Sequence, residues 1–357
     1  MKFTEFIIDT ATPDSPEASV LIIYTGGTIG MVQDRTKSLI PFDFNLIVEH
    51  LPVLRGFKLT LKVVCFNSPI DSSNMEPVHW IDIGRIIYDN YEKHDGFVVL
   101  HGTDTMAYSA SALSFILEGL NKPVIFTGAQ LPISSPRSDA PGNLITSIEI
   151  AAAKIDGKPI VPEVCVYFDY LLMRGNRVKK VESQHFDAFQ SENYPALAEA
   201  GIDIEYNFKA IRKYNPQLKL TFNSFLETNI AILKLFPGIR KEFVKSVLET
   251  KGLKAVIIET FGSGNAPTSD WMMKMFRDAL HKEIIILNVS QCMGGKVVQG
   301  KYETSRILAS MGVIGGSDLT TEAALGKLMY LLGKKIPINI TKELLISPIC
   351  GEMDILN

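Results

Sequence analysis

Apolar residues arrive along this chain in short unbroken runs, such as Val20–Tyr24, Phe97–Leu100, Ala255–Ile258 and Ile284–Leu287. Each ends near glycine, threonine, serine or aspartate. A run apolar on both faces, as in Phe97-Val98-Val99-Leu100, is the pattern of a strand covered by helices above and below. This predicts strands over Ser19–Thr25, Leu59–Phe66, Gly96–His101, Val124–Thr127 and Val164–Phe168. Helical periodicity lies between them, over Trp80–Glu92, Thr105–Leu120 and Asn143–Lys154. From Ile202 to Thr228 the pattern loosens into polar, mixed-charge sequence holding Asn215-Pro216, which reads as an extended connection. A second alternation follows, with strands Asn229–Leu235, Ala255–Thr260 and Glu283–Val289 and helices Pro237–Glu249 and Ser269–His281. A last helix near Thr320–Leu332 has Ser317, Asp318 and Thr320 as available caps. The pattern predicts an α/β fold. A larger N-terminal α/β domain with a mostly parallel sheet spans 1–204, a linker 205–228, and a smaller C-terminal α/β domain 229–357.

Composition narrows the partners. With 357 residues, 46% hydrophobic and 21% charged, the chain is long enough for large cores and unlike a disordered one. A net charge of −3 and a pI of about 6.1 give no positive field for phosphate backbones, so nucleic acid is a poor partner and a small molecule a better one. Mean hydropathy is slightly positive at +0.14, yet no apolar run approaches the roughly 20 residues a bilayer requires. Residues 1–18 contain Glu5, Asp9, Asp14 and Glu17 and no apolar signal segment, which predicts a cytoplasmic protein without membrane attachment. Cys65, Cys165, Cys292 and Cys350 are far apart and read as buried reduced thiols.

The chemistry concentrates where strands run out into small polar residues, because ligands of open α/β sheets sit at the carboxyl ends of strands. After the first strand comes Tyr24-Thr25-Gly26-Gly27-Thr28-Ile29-Gly30. It is not a phosphate loop, since neither G-x-x-x-x-G-K-[ST] nor G-x-G-x-x-G is present. Thr28 could simply cap a helix, but a hydroxyl held at such a turn beside backbone donors also suits a covalent nucleophile. His101-Gly102-Thr103-Asp104-Thr105 follows the third strand, and by itself offers Thr103 or Asp104 as helix caps. Asp71-Ser72-Ser73-Asn74-Met75 is uninformative by itself. Arg174-Gly175-Asn176-Arg177-Val178-Lys179-Lys180 reads in isolation as a solvated basic loop. Gly128-Ala129-Gln130 and Phe261-Gly262-Ser263-Gly264-Asn265 complete the series. The histidines and cysteines show neither H-E-x-x-H nor zinc spacing, and no G-x-S-x-G elbow occurs, so metal and Ser-His-Asp chemistry are set aside. Met272, Met273 and Met275 read as core packing.

Taken in order, these segments resemble the bacterial-type L-asparaginases, specifically their cytoplasmic type I branch. The resemblance runs from about Ser19 to Leu345, nearly the whole chain. It implies a two-domain α/β fold and hydrolysis of L-asparagine to L-aspartate and ammonia, with no cofactor and no metal. By resemblance Thr28 is the nucleophile, while Thr103, Asp104 and Lys180 match the family's second catalytic group. A lysine acts as base near neutral pH only where its surroundings favour the neutral form. A neighbouring carboxylate does the opposite, which makes orientation and the substrate's α-ammonium the better role for Asp104. Thr103 would carry a proton between Lys180 and the attacking water, although the letters leave open which step each threonine serves.

Asp71, Ser72 and Ser73 match the family loop that grips the substrate α-carboxylate. The other branch carries glutamine where Ser73 stands, so the preference between asparagine and glutamine stays open. Asn265 matches a position that reaches the site from a neighbouring subunit, implying a homodimer or homotetramer. One departure stands out. The family's mobile loop usually carries a tyrosine, but Met31–Pro41 has none, and Leu39 falls at the expected place. Some cytoplasmic members similarly use a tyrosine from the C-terminal domain, which here points to Tyr302 as the partner of Thr28. Two rival readings use the same fold: an ammonia-generating subunit of a tRNA-dependent amidotransferase, and a non-catalytic amino-acid-binding protein. The first carries a long module before the T-G-G-T turn, whereas only about twenty residues precede the first predicted strand here. The second has no need of Thr28, Thr103, Asp104 and Lys180.

Overall fold

In-register parallel pairing is what places the functional segments. The computed structural model describes residues 2–8, 10, 16–33, 39–41, 47, 51–300 and 303–354. The chain divides into two compact units, residues 1–222 and 223–357.

The first unit is built on a nine-stranded sheet. Its strands are β1 (Phe3–Ile8), β2 (Ser19–Tyr24), β3 (Thr60–Phe66), β4 (Gly96–Leu100), β5 (Val124–Thr127), β6 (Val164–Phe168), β7 (Leu171–Arg174), β8 (Ala198–Ala200) and β9 (Ile204–Tyr206), in the order β1-β3-β2-β4-β5-β6-β7-β8-β9. The five central strands, β3 to β6 in that order, pair in parallel. β1 is antiparallel on one edge, and β7 to β9 meander antiparallel on the other. Helices α1 (Pro77–Asp89), α2 (Met106–Ile116) and α3 (Ala140–Ala152) follow β3, β4 and β5. Strand alternation sends Val20, Ile22, Tyr24, Val98 and Leu100 to one face, where Leu144 and Ile148 of α3 share their core. Leu21, Ile23, Phe97 and Val99 face the other way and are equally buried. That two-sided burial is why these strands read as continuous apolar runs.

Two features differ from the sequence reading. β1 lies in a stretch to which no element was assigned, because acidic residues break its apolar pattern; Glu5 pairs with Lys62 of β3 at 2.5 Å. The stretch expected as a linker, 205–228, straddles the division between the units. Its first part belongs to the first unit, through β9 and through Thr221–Phe222, which pairs with Leu117–Glu118.

The second unit holds a four-stranded parallel sheet of β10 (Ile230–Lys234), β11 (Ala255–Thr260), β12 (Ile285–Ser290) and β13 (Ile314–Gly315), in that order. Its helices are α4 (Lys241–Leu248), α5 (Asp270–His281), α6 (Glu303–Met311), α7 (Thr321–Gly333) and α8 (Ile338–Leu345). Met272, Met273 and Phe276 of α5 pack with Ile258 and Ile286, so these methionines are core. Of the offered caps, Thr320 serves α7 by accepting from Ala323 N–H. At 0% exposure, Lys327 of α7 forms an ion pair with Glu352 at 2.7 Å. No described helix is long and apolar enough to cross a membrane. None of the four cysteines forms a disulfide, but only Cys165 is buried and Cys292 is exposed, which corrects the expectation of four buried thiols.

Candidate active site

Four strands of the first unit end at the same height. Tyr24 of β2 pairs with Cys65 of β3 and with Leu100 of β4, and Leu100 pairs with Thr127 of β5. The segments leaving these ends are stitched together at once. Thr25 N–H and its hydroxyl both donate to Leu100 O, at 3.0 and 2.9 Å. His101 N–H donates to Thr127 O, and Ile70 N–H to Thr25 O at 2.7 Å.

Two glycines allow the segments to touch. Gly27, at φ +89°, lies so close to the next strand end that a Cβ would fall 2.6 Å from Gly102 N. A Cβ on Gly102 would in turn lie 2.4 Å from Ser72 Oγ. Only residues without Cβ fit these approaches. Thr28, half-buried, opens a single 3₁₀ turn over Thr28–Gly30, and the Tyr24 hydroxyl below donates to Gly30 O at 3.2 Å. Ser72 is buried, and its carbonyl accepts from the Thr105 hydroxyl at 2.7 Å. Asp71 caps the turn after it by accepting from Ser73 N–H, while Ser73 itself is exposed.

Lys180 arrives from a separate two-stranded sheet. It sits on the two-residue strand Lys179–Lys180, paired with Phe189–Gln190. Its Nζ donates to Thr103 Oγ1 at 2.8 Å and to Asp104 Oδ1 at 2.7 Å. The ammonium is mostly covered, with 17% of the side chain exposed, against 63% for Asp104. The basic run before it is not solvated, contrary to its reading in isolation. Arg174, Asn176 and Arg177 are buried. Arg174 Nε donates to Glu163 at 2.6 Å, and Tyr194 covers both guanidinium groups at 4.2 and 5.0 Å. A buried arginine is satisfied by such a carboxylate and ring, and here the anchored run delivers Lys180.

Gln130 is a site residue that the sequence reading named without giving it a role. Its Nε2 donates to His185 O, which turns Oε1 toward the Thr103 hydroxyl at 3.3 Å. Asp139 fixes the backbone here by accepting from Gln130 and Leu131 N–H. Thr103 therefore receives from Lys180 and donates to Gln130.

The structure brings Thr28, Ser72, Thr103, Asp104 and Lys180 to one end of the first unit's sheet. Asp71 and Ser73 flank Ser72 there. Asn265 belongs to the second unit, closing a turn in which its N–H donates to Phe261 O at 2.9 Å. Tyr302 lies outside the described residues. Among the described residues no cluster of histidine, cysteine, aspartate or glutamate is arranged to hold a metal ion.

Comparison with known proteins agrees with this architecture. Residues 19–212 match the family model for the asparaginase N-terminal domain, and 229–345 the model for the glutaminase/asparaginase C-terminal domain. The chain is 39% identical to L-asparaginase 1 of Escherichia coli K12, covering 94% of this chain and 98% of that one. It is also 39% identical to the 60 kDa lysophospholipase of Mus musculus over 95% of its own length, but spans only 63% of that protein. The crystal structure of L-asparaginase I from Vibrio cholerae superposes with a TM-score of 0.84 at 37% identity, covering 94% of this chain and 99% of that one.

Proposed function

This chain belongs to the asparaginase family, and from that premise we propose that it hydrolyses the side-chain amide of L-asparagine to L-aspartate and ammonia. The observation that carries the reading is Lys180, whose nitrogen bonds both Thr103 and Asp104 beside the Gly27–Thr28 turn. A site that only bound an amino acid would have no use for a half-buried lysine on a threonine hydroxyl.

An amide is a poor electrophile, and an acyl-enzyme divides its hydrolysis into two easier steps. In the first, Thr28 Oγ1 bonds to the side-chain carbonyl carbon and gives up its proton. The C–N bond then breaks, and the nitrogen leaves as ammonia carrying that proton. In the second, water attacks the Thr28 ester and gives a proton to Thr103 Oγ1, while the Thr103 hydroxyl, turned from Gln130 to Lys180, passes its own proton over the 2.8 Å to Nζ acting as an amine. Collapse breaks the Thr28 ester bond and releases aspartate, and the proton returns from Lys180 through Thr103 to Thr28 Oγ1, which restores its hydroxyl. The buried Ser72, flanked by Asp71 and Ser73, suits the α-carboxylate, and the exposed carboxylate of Asp104 the α-ammonium. Tyr302 stays in the proposal as the partner of Thr28 on sequence grounds. A homodimer or homotetramer in which Asn265 completes a partner's site, and residence in the cytoplasm, belong to the same reading.

The test is ammonia release from L-asparagine and L-glutamine, side by side, by wild type and Thr28→Ala. We expect wild-type activity on asparagine and a loss of kcat of about 10²-fold or more in the variant. Equal rates in the two proteins would remove the acyl-enzyme. Activity on glutamine alone would favour an ammonia-generating subunit instead.

A further inference from the structure

His101 lies directly before the Thr103–Asp104 turn and is 0% exposed. Its Nδ1 is 2.7 Å from Gly102 O. A carbonyl oxygen only accepts, so Nδ1 carries a proton. Burial pushes the pKa of this imidazole down to about 4, which keeps it neutral and leaves Nε2 as an acceptor. Ser109 Oγ of α2 is 2.9 Å from Nε2 and therefore donates to it. Ser109 in turn accepts from Trp80 Nε1 of α1 at 2.8 Å, and an indole N–H can only donate. Every proton in the chain Trp80–Ser109–His101–Gly102 O thus has one direction.

The end of this chain is a peptide that needs holding. Gly102 has no Cβ because Ser72 Oγ occupies that place. The bond from His101 fixes the Gly102 carbonyl, and with it the plane of the Gly102–Thr103 peptide. The peptides are all trans among the described residues, so with Gly102 C=O aimed at the imidazole, Thr103 N–H points the opposite way, out of the core.

We propose that His101 is a positioning residue, oriented by Ser109 and Trp80, which locks the Gly102–Thr103 peptide and so holds the Thr103 hydroxyl between Lys180 and Gln130. It touches no reacting atom; it acts through one carbonyl. The proposal rests on the amidohydrolase reading of the site.

Two measurements test it. Imidazole ¹⁵N spectra of the wild type report the tautomer without any turnover. We expect His101 with Nδ1 protonated and Nε2 bare. Kinetics then separate positioning from folding. His101→Leu keeps bulk and loses the donor, and we expect kcat to fall about 30-fold with KM within about three-fold. His101→Asn places an amide N–H near the Nδ1 position, and we expect it to recover about ten-fold of that loss. Ser109→Ala, a mild change for a protein whose leucine variant misfolds, lowers kcat about five-fold and mixes the tautomers. Equal kcat in the leucine and asparagine variants, or an Nε2-protonated ring in the wild type, overturns the proposal. A wild type inactive on both amides defeats the amidohydrolase reading instead, and the spectra still decide the hydrogen-bond chain.

Discussion

Lys180 reaches Thr103 from 77 residues away, and its nitrogen closes a three-membered relay in which Thr103 passes the next hydrogen bond to Gln130. The geometry admits one nitrogen between two oxygens. On the proposed mechanism Lys180→Met keeps the length of the stem and removes the group that takes up the proton, so we expect kcat to fall by about 10²- to 10⁴-fold with little change in KM. Lys180→Arg keeps the charge but cannot take up a proton near neutral pH, and we expect it to be nearly as inactive. Steady-state kinetics on asparagine check both, and an active arginine variant would reassign Lys180 to charge alone.

Two buried histidines make the fold acid-sensitive. Burial, with help from Lys62 and Lys93, lowers the pKa of His94 to about 4, and burial does the same for His101. Between pH 6.5 and pH 4 the unfolded chain binds these protons and the folded chain does not, so stability falls as pH drops through that window. At pH 5 each histidine contributes about 2 kcal/mol of loss relative to neutral pH. Urea unfolding at pH 7 and pH 5 measures it. We expect His94→Asn to lose about 2 kcal/mol less than the wild type over that interval.

The second unit depends on a buried ion pair. Besides Glu352, Lys327 Nζ serves Leu345 O and Ser347 O, while the Glu352 carboxylate accepts from Ile349 and Cys350 N–H. Lys327→Met leaves that carboxylate without its cation, and we expect about 3–5 kcal/mol of destabilisation by denaturant unfolding. Adding Glu352→Gln removes the stranded charge and is expected to recover a large part of the loss. Strict additivity of the two substitutions would show that they are not coupled.

Asn265 supplies a test of assembly. If it completes the site of a second copy, specific activity falls on dilution as the sedimentation coefficient falls, and Asn265→Ala reduces activity without changing the oligomer. A fully active monomer would detach Asn265 from the site.

Much of the fold was legible because the central strands are buried on both faces and therefore write continuous apolar runs. β1 escaped because an edge strand carries charges such as Glu5. The ends of the strands were legible as chemistry through their glycines, threonines and aspartates. The basic run Arg174–Lys180 was misread in isolation because burial of Arg174 depends on Glu163, across a hairpin, and on Tyr194. Gln130 and His101 gave no signal of their roles, since each acts through a partner distant in sequence or through a backbone carbonyl.

The common height of Cys65, Tyr24, Leu100 and Thr127 has a consequence for how this site tolerates change. Thr28 and Thr103 are positioned by counting residues along hydrogen-bonded strands. Deleting one residue within Val20–Tyr24 would draw the threonine turn back by about 3.3 Å and send the β2 side chains on the shifted side of the deletion to the opposite face. Lengthening the surface segments before these strands would do neither. Insertions are therefore forbidden inside the ladder and free outside it, so the spacing from strand to threonine is the quantity that sequence drift must hold fixed.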